Sequence, residues 1–204
     1  MRPFARVSLF AAALLAPGLA HAQSAQRWSI QVSGLSVGAQ GEAYEGLSGG
    51  IGLEAQVRLT PSVWSFGAGV QSSAHDLEFD DGSKETVTLA GVFFEPRRIL
   101  DVGSSTFAPY LSGRVAFLQQ SIDVDVQGTS VSASASGAQL NGGGGVLFRL
   151  SPRVNLDLGA TYGLINFGDV EVNIPGVGNT KVEGSSGSGS NFVVRLGLAI
   201  GLGK

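Results

Sequence analysis

The sequence predicts an all-β fold, an eight-stranded antiparallel up-and-down transmembrane β-barrel, and three observations support this prediction. Residues 47–59 alternate apolar and polar side chains without a break, as expected of a strand with one apolar and one polar face. This stretch is 13 residues long, whereas a strand that crosses a bilayer needs about 9–11 residues and a soluble strand averages about 5–6. The same alternation returns in residues 192–203, at the other end of the chain.

Period-two alternation divides the chain into eight strands, and an even number of antiparallel strands returns both termini to one side of the membrane. The predicted strands cover residues 26–39, 47–59, 62–74, 85–94, 106–118, 133–150, 153–167 and 191–203. In the first strand the apolar phase slips near Gly34, which predicts a bulge. The fourth strand is apolar on both faces and is predicted to end at residue 94, because Pro96 follows.

The connectors between these strands fall into two classes by length. Short connectors lie at residues 60–61, 101–103 and 151–152, and long polar ones lie near residues 40–45, 75–84, 119–132 and 168–190. Short turns on one side and long loops on the other are typical of outer-membrane barrels. The long loops hold most of the acidic residues, namely Glu42, Glu45, Asp76, Glu78, Asp80, Asp81, Asp123, Asp125, Asp169, Glu171 and Glu183. This distribution predicts an acidic outer surface that divalent cations bridge to anionic lipopolysaccharide.

Residues 1–22 have the pattern of a cleaved secretory signal peptide, which leaves residues 23–204 as the barrel domain. Arg2 and Arg6 precede an apolar run, and Ala20-His21-Ala22 forms the exit site. No later apolar run reaches about 18 residues, so a spanning protein would have to be a barrel. The formal net charge of −3 becomes −5 when the two arginines are removed, and this sign disfavours a nucleic-acid partner.

Seven aromatic residues are expected to mark the two membrane interfaces, where such rings concentrate. Trp28, Trp64, Phe107 and Phe148 are predicted at the short-turn side, and Phe117, Tyr162 and Phe192 at the long-loop side. They share the outward phase with aliphatic residues, so packing in a soluble core is the less favoured interpretation.

The polar phase of the strands is expected to face a lumen that side chains fill, because an eight-stranded barrel has no room for more. The charged residues of this face are Glu54, Arg58, Arg114, Arg149, Asp157 and Arg195. Buried charges must pair, so the sequence predicts an ion network, with Arg149 and Asp157 close across the short turn at residues 151–152. An open pore is not expected.

Few residues offer catalytic or metal chemistry, since the chain after residue 22 has one histidine and the chain has no cysteine. Ser73 and His75 share a strand face near acidic residues, which leaves a lipid-directed hydrolase as a minor alternative to an ordinary surface histidine. Asp76, Glu78 and Asp80 offer alternating oxygen ligands and form a weak calcium candidate, although a solvated loop is favoured. We expect neither a metal nor a cofactor, and no catalytic residue is assigned.

Short motifs of the chain resemble those of the small outer-membrane β-barrel proteins of Gram-negative bacteria. The similarity lies in the Pro61 and Pro152 turns, the Ala108-Pro109-Tyr110-Leu111 segment and residues 150–159. Such proteins serve as envelope structural proteins, adhesins, resistance factors or small-solute passages, and a few modify lipids. The last strand is similar to the family's assembly signal through Arg195, Gly197, Ile200 and Leu202, which implies recognition by the barrel-insertion machinery, although the chain ends on Lys204 instead of an aromatic residue.

The sequence therefore predicts an integral protein of the cell outer membrane, in contact with outer-membrane lipid and lipopolysaccharide. The favoured role is a non-enzymatic envelope or surface-interaction component whose loops bind. A narrow porin-like passive channel is the first alternative, and a lipid-directed hydrolase is the second. A secreted soluble barrel is disfavoured, because its long apolar outer stripes would aggregate in water.

Overall fold

A computed structural model describes residues 27–78, 82–126, 129–174 and 178–203. Within these ranges the strands are β1 (Trp28–Gln40), β2 (Gly50–Leu59), β3 (Trp64–Glu78), β4 (Lys84–Ile99), β5 (Phe107–Val126), β6 (Thr129–Arg149), β7 (Val154–Phe167), β8 (Val170–Ile174), β9 (Gly178–Val182) and β10 (Gly187–Leu202). A single 3-10 turn, Glu42–Tyr44, follows β1. The predicted signal peptide lies outside the described residues.

Eight of these strands close a barrel. β1 to β7 pair antiparallel in sequence order, and β10 pairs with β7 on one side and with β1 on the other. At the seam, Trp28 of β1 is in register with Leu202 of β10. The remaining two, β8 and β9, form a hairpin that continues the sheet from β6. The predicted closed, eight-stranded antiparallel barrel is therefore confirmed.

Several strands are longer than predicted, because strand pairing continues into segments that were expected to be loops. β5 and β6 run on as one extended hairpin through most of residues 119–132, which were expected to be a loop. β4 continues through Pro96 to Ile99, and only its ladder to β5 is interrupted at Glu95 and Pro96. Pro96 is therefore accommodated in a strand with neighbours on both sides, because β4 stays paired with β3 where its pairing with β5 is interrupted. In the described part of the chain, no helix has the length and apolar character needed to cross a membrane.

The outer wall of the barrel is apolar. Outward positions carry large exposed side chains such as Leu53, which is 67% exposed, and Leu198, which is 48% exposed. Aromatic residues pair across strands on this wall, with Phe107 opposite Phe148 and Phe192 opposite Tyr162. A surface of this kind is stable only in hydrocarbon, because such patches associate in water.

The interior has two zones, and this corrects the expectation of a lumen that is polar throughout. The half nearer the short turns is mainly polar, although it also holds a small apolar cluster of Ile99, Ala108 and Tyr110. The half nearer the long loops is filled mainly by an apolar plug of Tyr44, Val87, Leu89, Phe93, Ala116, Leu118, Ala135, Ile165 and Phe167. The change of zone also accounts for the phase slip in β1. The pairing of β1 runs past Gly34 without a bulge, and Leu35 and Val37 are buried on the lumen side.

Candidate functional site

The polar half of the lumen holds a cluster of seven charged side chains, here called the lumen ion cluster. It comprises Glu54 and Arg58 of β2, Glu95 and Arg97 of β4, Arg114 of β5, Asp157 of β7 and Arg195 of β10, each at most 5% exposed. Period two places residues 54 and 58, and residues 95 and 97, on the same inward face of their strands. Four arginines and three carboxylates give the cluster a formal charge of 4 − 3 = +1.

Glu95 lies at the centre of the lumen ion cluster. One carboxylate oxygen, Oε1, lies 2.5 Å from Nε of Arg97, and Oε2 lies 2.5 Å from Nη2 of Arg114. Arg195 donates to both oxygens, over 3.0 Å from Nη1 and 3.2 Å from Nη2. Arg58 is bound more loosely and donates to the backbone carbonyl of Glu95 over 3.3 Å. Three guanidinium groups therefore share one carboxylate directly, which only a tightly packed interior permits.

The other two carboxylates tie the cluster to the barrel wall. Glu54 forms an ion pair with Arg114, with Oε2 and Nη1 2.8 Å apart. Asp157 lies 2.8 Å from Nη1 of Arg97 and accepts from the Tyr110 hydroxyl over 2.7 Å. Gln31 of β1 donates to the same carboxylate over 2.7 Å. Every carboxylate thus has several donors, as burial of a charge requires.

Glycines make room for the aromatic part of this arrangement. A Cβ built at Gly145 or at Gly159 would lie 2.5 Å from the Tyr110 hydroxyl. The guanidinium of Arg97 in turn stacks over the Tyr110 ring, with its central carbon 4.4 Å from the ring centroid. The two glycines on β6 and β7 therefore allow a large side chain to cross the lumen and reach Asp157.

The structure brings together five of the six lumen residues picked out from the sequence. Arg149 is the exception: it is half-buried at the end of β6, where its register partner is Asn155, and the contacts of Asp157 described above do not include it. Sequence reasoning missed Glu95 and Arg97, because β4 was expected to end before Pro96. Their alternation with Phe93 and Ile99 on one inward face was the signal that could have found them.

Above the apolar plug, the barrel opens into a cavity of 240 Å³ at its long-loop end, here called the outer mouth cavity. Its walls are largely apolar and include Leu47, Leu77, Val87, Ile122 and Phe167. In the described ranges, the charged residues that line it are Glu42 and Glu45. Tyr44 lies between Glu42 and Glu45 in the sequence. Its ring packs edge-on against the ring of Phe167, with the centroids 6.5 Å apart. Burial raises the pKa of Tyr44 to about 12, against a smaller opposite effect of Asn191. An apolar cavity with an acidic entrance suits an apolar ligand that carries a positive charge.

The Ser73 and His75 pair is formed, but inside the barrel. Ser73 Oγ lies 3.0 Å from His75 Nε2, and His75 Nδ1 lies 3.1 Å from the carbonyl oxygen of Ser48. His75 is 1% exposed, so the expectation of a surface histidine is wrong. Gly50 creates this niche, because a Cβ there would lie 2.6 Å from His75 Nδ1. A backbone carbonyl occupies the place that a carboxylate holds in a catalytic triad.

The family model described as "Outer membrane protein beta-barrel domain" matches residues 8–199. The chain belongs to this family. No curated protein was found to match.

Solved structures of outer-membrane barrels share the fold at low sequence identity. The structure of Neisserial surface protein A has a TM-score of 0.57 at 17% identity, and the alignment covers 86% of this chain and 97% of that one. The outer membrane protein OprG from Pseudomonas aeruginosa has a TM-score of 0.54 at 11% identity, with 91% and 100% of the two chains covered. These likenesses show the shared fold, and the family match places the protein in the outer membrane.

In this outer-membrane barrel, the seven aromatic residues predicted at the interfaces all occupy outward positions, and Trp64 is the least exposed of them. Of the predicted assembly signal, Arg195 and Gly197 face the lumen, whereas Ile200 and Leu202 face outward. Its recognition by the insertion machinery remains a prediction.

The weak metal candidate does not gain ligands in the structure. Asp76 and Glu78 are exposed, Glu78 forms an ion pair with Lys84 over 3.5 Å, and Asp80 lies outside the described residues. Among the residues that the structure describes, no three metal-ligating side chains converge.

Proposed function

We propose that this barrel is a non-enzymatic component of the outer membrane whose lumen is closed and whose interactions take place at the long-loop end. The lumen ion cluster is the observation that carries the proposal. Its members come from five strands and meet at the barrel axis, with Glu95 and Asp157 fully buried. Carboxylates that line a water-filled path would be hydrated and exposed, which these are not.

The packing on both sides of the cluster supports a closed lumen. Toward the short turns, a cavity next to Arg58 and Arg97 measures 30 Å³. Toward the long loops, a cavity next to Arg114 and Ser73 measures 20 Å³. Each has room for about one or two water molecules, and the apolar plug lies beyond the second. A hydrated ion would have to displace both charged and apolar side chains to pass.

The outer mouth cavity supports the surface-interaction part of the proposal. It is lined by apolar side chains of β3, β4, β5 and β6 and is open toward the side that carries the acidic loops. We assign to it small apolar molecules that carry a positive charge, and to the acidic loops cation-bridged contact with lipopolysaccharide. The last strand, β10, is the segment that the barrel-insertion machinery would recognise.

Recording from planar lipid bilayers tests the closed lumen against the channel alternative. The purified protein should give no steady single-channel current, whereas a purified open porin in the same bilayer provides the positive control. A bilayer without protein gives the background. Steady, resolved conductance steps from the folded barrel would overturn the proposal and establish the narrow channel.

A further inference from the structure

The outer wall of the barrel contains a groove in which glycines replace the large side chains found elsewhere on that wall. Gly113 of β5 and Gly142 of β6 are direct register partners and face outward. A Cβ built at Gly142 meets nothing within 4 Å, and one at Gly113 comes no nearer than 3.9 Å to another atom. The resulting groove has a volume of 420 Å³ and is also lined by Trp64, Pro96 and Leu111. We call it the wall groove.

Among the residues that the structure describes, Arg98 is the charged side chain that lines the wall groove, at its short-turn end. Arg98 lies on the outward face of β4, in register with Trp64 of β3, and its guanidinium lies 5.5 Å from the centroid of the Trp64 ring. Arg98 is only 6% exposed, and its buried Nε has no hydrogen-bond partner. An arginine on the wall that faces hydrocarbon is costly unless an anion or the interface receives it.

The aromatic residues beside the groove form a continuous apolar border. Trp64 and Phe66 stack with ring centroids 6.4 Å apart, and Phe66 and Phe94 stack at the same distance. This row begins at the short-turn interface and extends toward the middle of the membrane. A long apolar chain lying along the row would end beside Arg98.

We propose that the wall groove binds one phospholipid of the inner, periplasmic leaflet, with its phosphate on Arg98 and an acyl chain over Gly113 and Gly142. Guanidinium groups bind phosphate oxygens with directed N–H donors, and the part of the Arg98 side chain that lines the groove presents this group to a phosphate. The glycines leave the volume that the acyl chain fills. A headgroup with net negative charge binds best, because it brings no ammonium group to compete with Arg98.

Fluorescence quenching by brominated lipids tests this site in the full-length mature barrel. The chain has two tryptophans, so Trp28→Phe leaves Trp64 as the reporter beside the groove. In phosphatidylcholine vesicles, brominated phosphatidylglycerol should occupy the site about fivefold more readily than brominated phosphatidylcholine. Arg98→Gln should remove this preference. Arg153→Gln is the matched control, because it loses the same charge in an exposed position at the same end of the barrel and should keep the preference.

A second pair of variants tests the volume of the groove. Gly142→Val should lower quenching of Trp64 by either lipid, whereas Gly34→Val, at an equally open outward position on β1, should not. Gel mobility with and without heating verifies that each variant is folded. Equal quenching by the two lipids in the parent, or an equal loss of preference in Arg98→Gln and Arg153→Gln, would overturn the proposal. These outcomes are independent of whether the barrel conducts.

Discussion

Neutralising Glu95 tests whether the lumen ion cluster stabilises the barrel as its geometry requires. Glu95→Gln keeps the shape of the side chain but removes the charge that Arg97, Arg114 and Arg195 share at 2.5–3.2 Å. The formal charge of the cluster then rises from +1 to +2 at a site where the Glu95 side chain is fully buried. Removing one partner of a buried ion pair costs about 3–5 kcal/mol. Because glutamine retains one acceptor oxygen, we expect a loss of about 3 kcal/mol in the free energy of unfolding.

Urea unfolding of the barrel in lipid vesicles, followed by tryptophan fluorescence, measures this loss. The matched control is Glu78→Gln, because Glu78 pairs with Lys84 over 3.5 Å on the surface, where both side chains are more than half exposed. The control should change the unfolding free energy by less than about 1 kcal/mol. If Glu95→Gln cost no more than the control, the cluster would not be a structural element and the argument for a closed lumen would fail.

Three further predictions follow from the same structure. Gly159→Ala should lower the free energy of unfolding by about 1–3 kcal/mol, because its methyl group would lie 2.5 Å from the Tyr110 hydroxyl. Gly34→Ala should stay close to the parent in the same urea titration, because a methyl group there comes no nearer than 3.9 Å to another atom. Spin labels on Leu53 and Leu198 should be relaxed far more by lipid-soluble oxygen than by an aqueous nickel chelate, and a label on exposed Ser186 should show the reverse order. The same order at all three sites would contradict the membrane-facing wall. Ser73→Ala should release ester or lipid products no more slowly than the parent, since the His75 partner is a backbone carbonyl, and a clear drop in product release measured by mass spectrometry would restore the hydrolase.

The architecture of the barrel could be predicted because its outer wall follows one rule. Most outward positions within the membrane carry apolar side chains, so residues 47–59 and 192–203 show unbroken alternation, and their strands pair as expected. The loops were harder to predict. The extensions of β5 and β6 and strand β8 do alternate, in residues 121–126, 129–136 and 170–174, so period two could have found them. They were assigned to loops because they lie in the two longest connectors, which are rich in polar residues.

The interior could be predicted only in part, because the lumen changes from polar to apolar along its axis. Where the lumen is apolar, both faces of a strand are apolar and period two disappears. This is the reason why β4 gave an unclear pattern at Val87 to Phe94, and why Leu35 and Val37 suggested a bulge in β1. The central carboxylate, Glu95, was missed for a different reason. Pro96 was expected to end the strand, whereas β4 continues and its ladder to β5 is interrupted only at Glu95 and Pro96.

The sequence separation within the lumen ion cluster makes barrel closure a cooperative event. Arg195 and Glu54 are 141 positions apart in the chain, yet they meet inside one ring of strands. Until β10 pairs with β1, the buried carboxylates of Glu54 and Glu95 lack Arg195 as a counter-ion. Intermediates in which this seam is still open are therefore destabilised. The final seam and the charge balance are therefore completed in a single step, and unfolding in the membrane should be all-or-none instead of proceeding strand by strand.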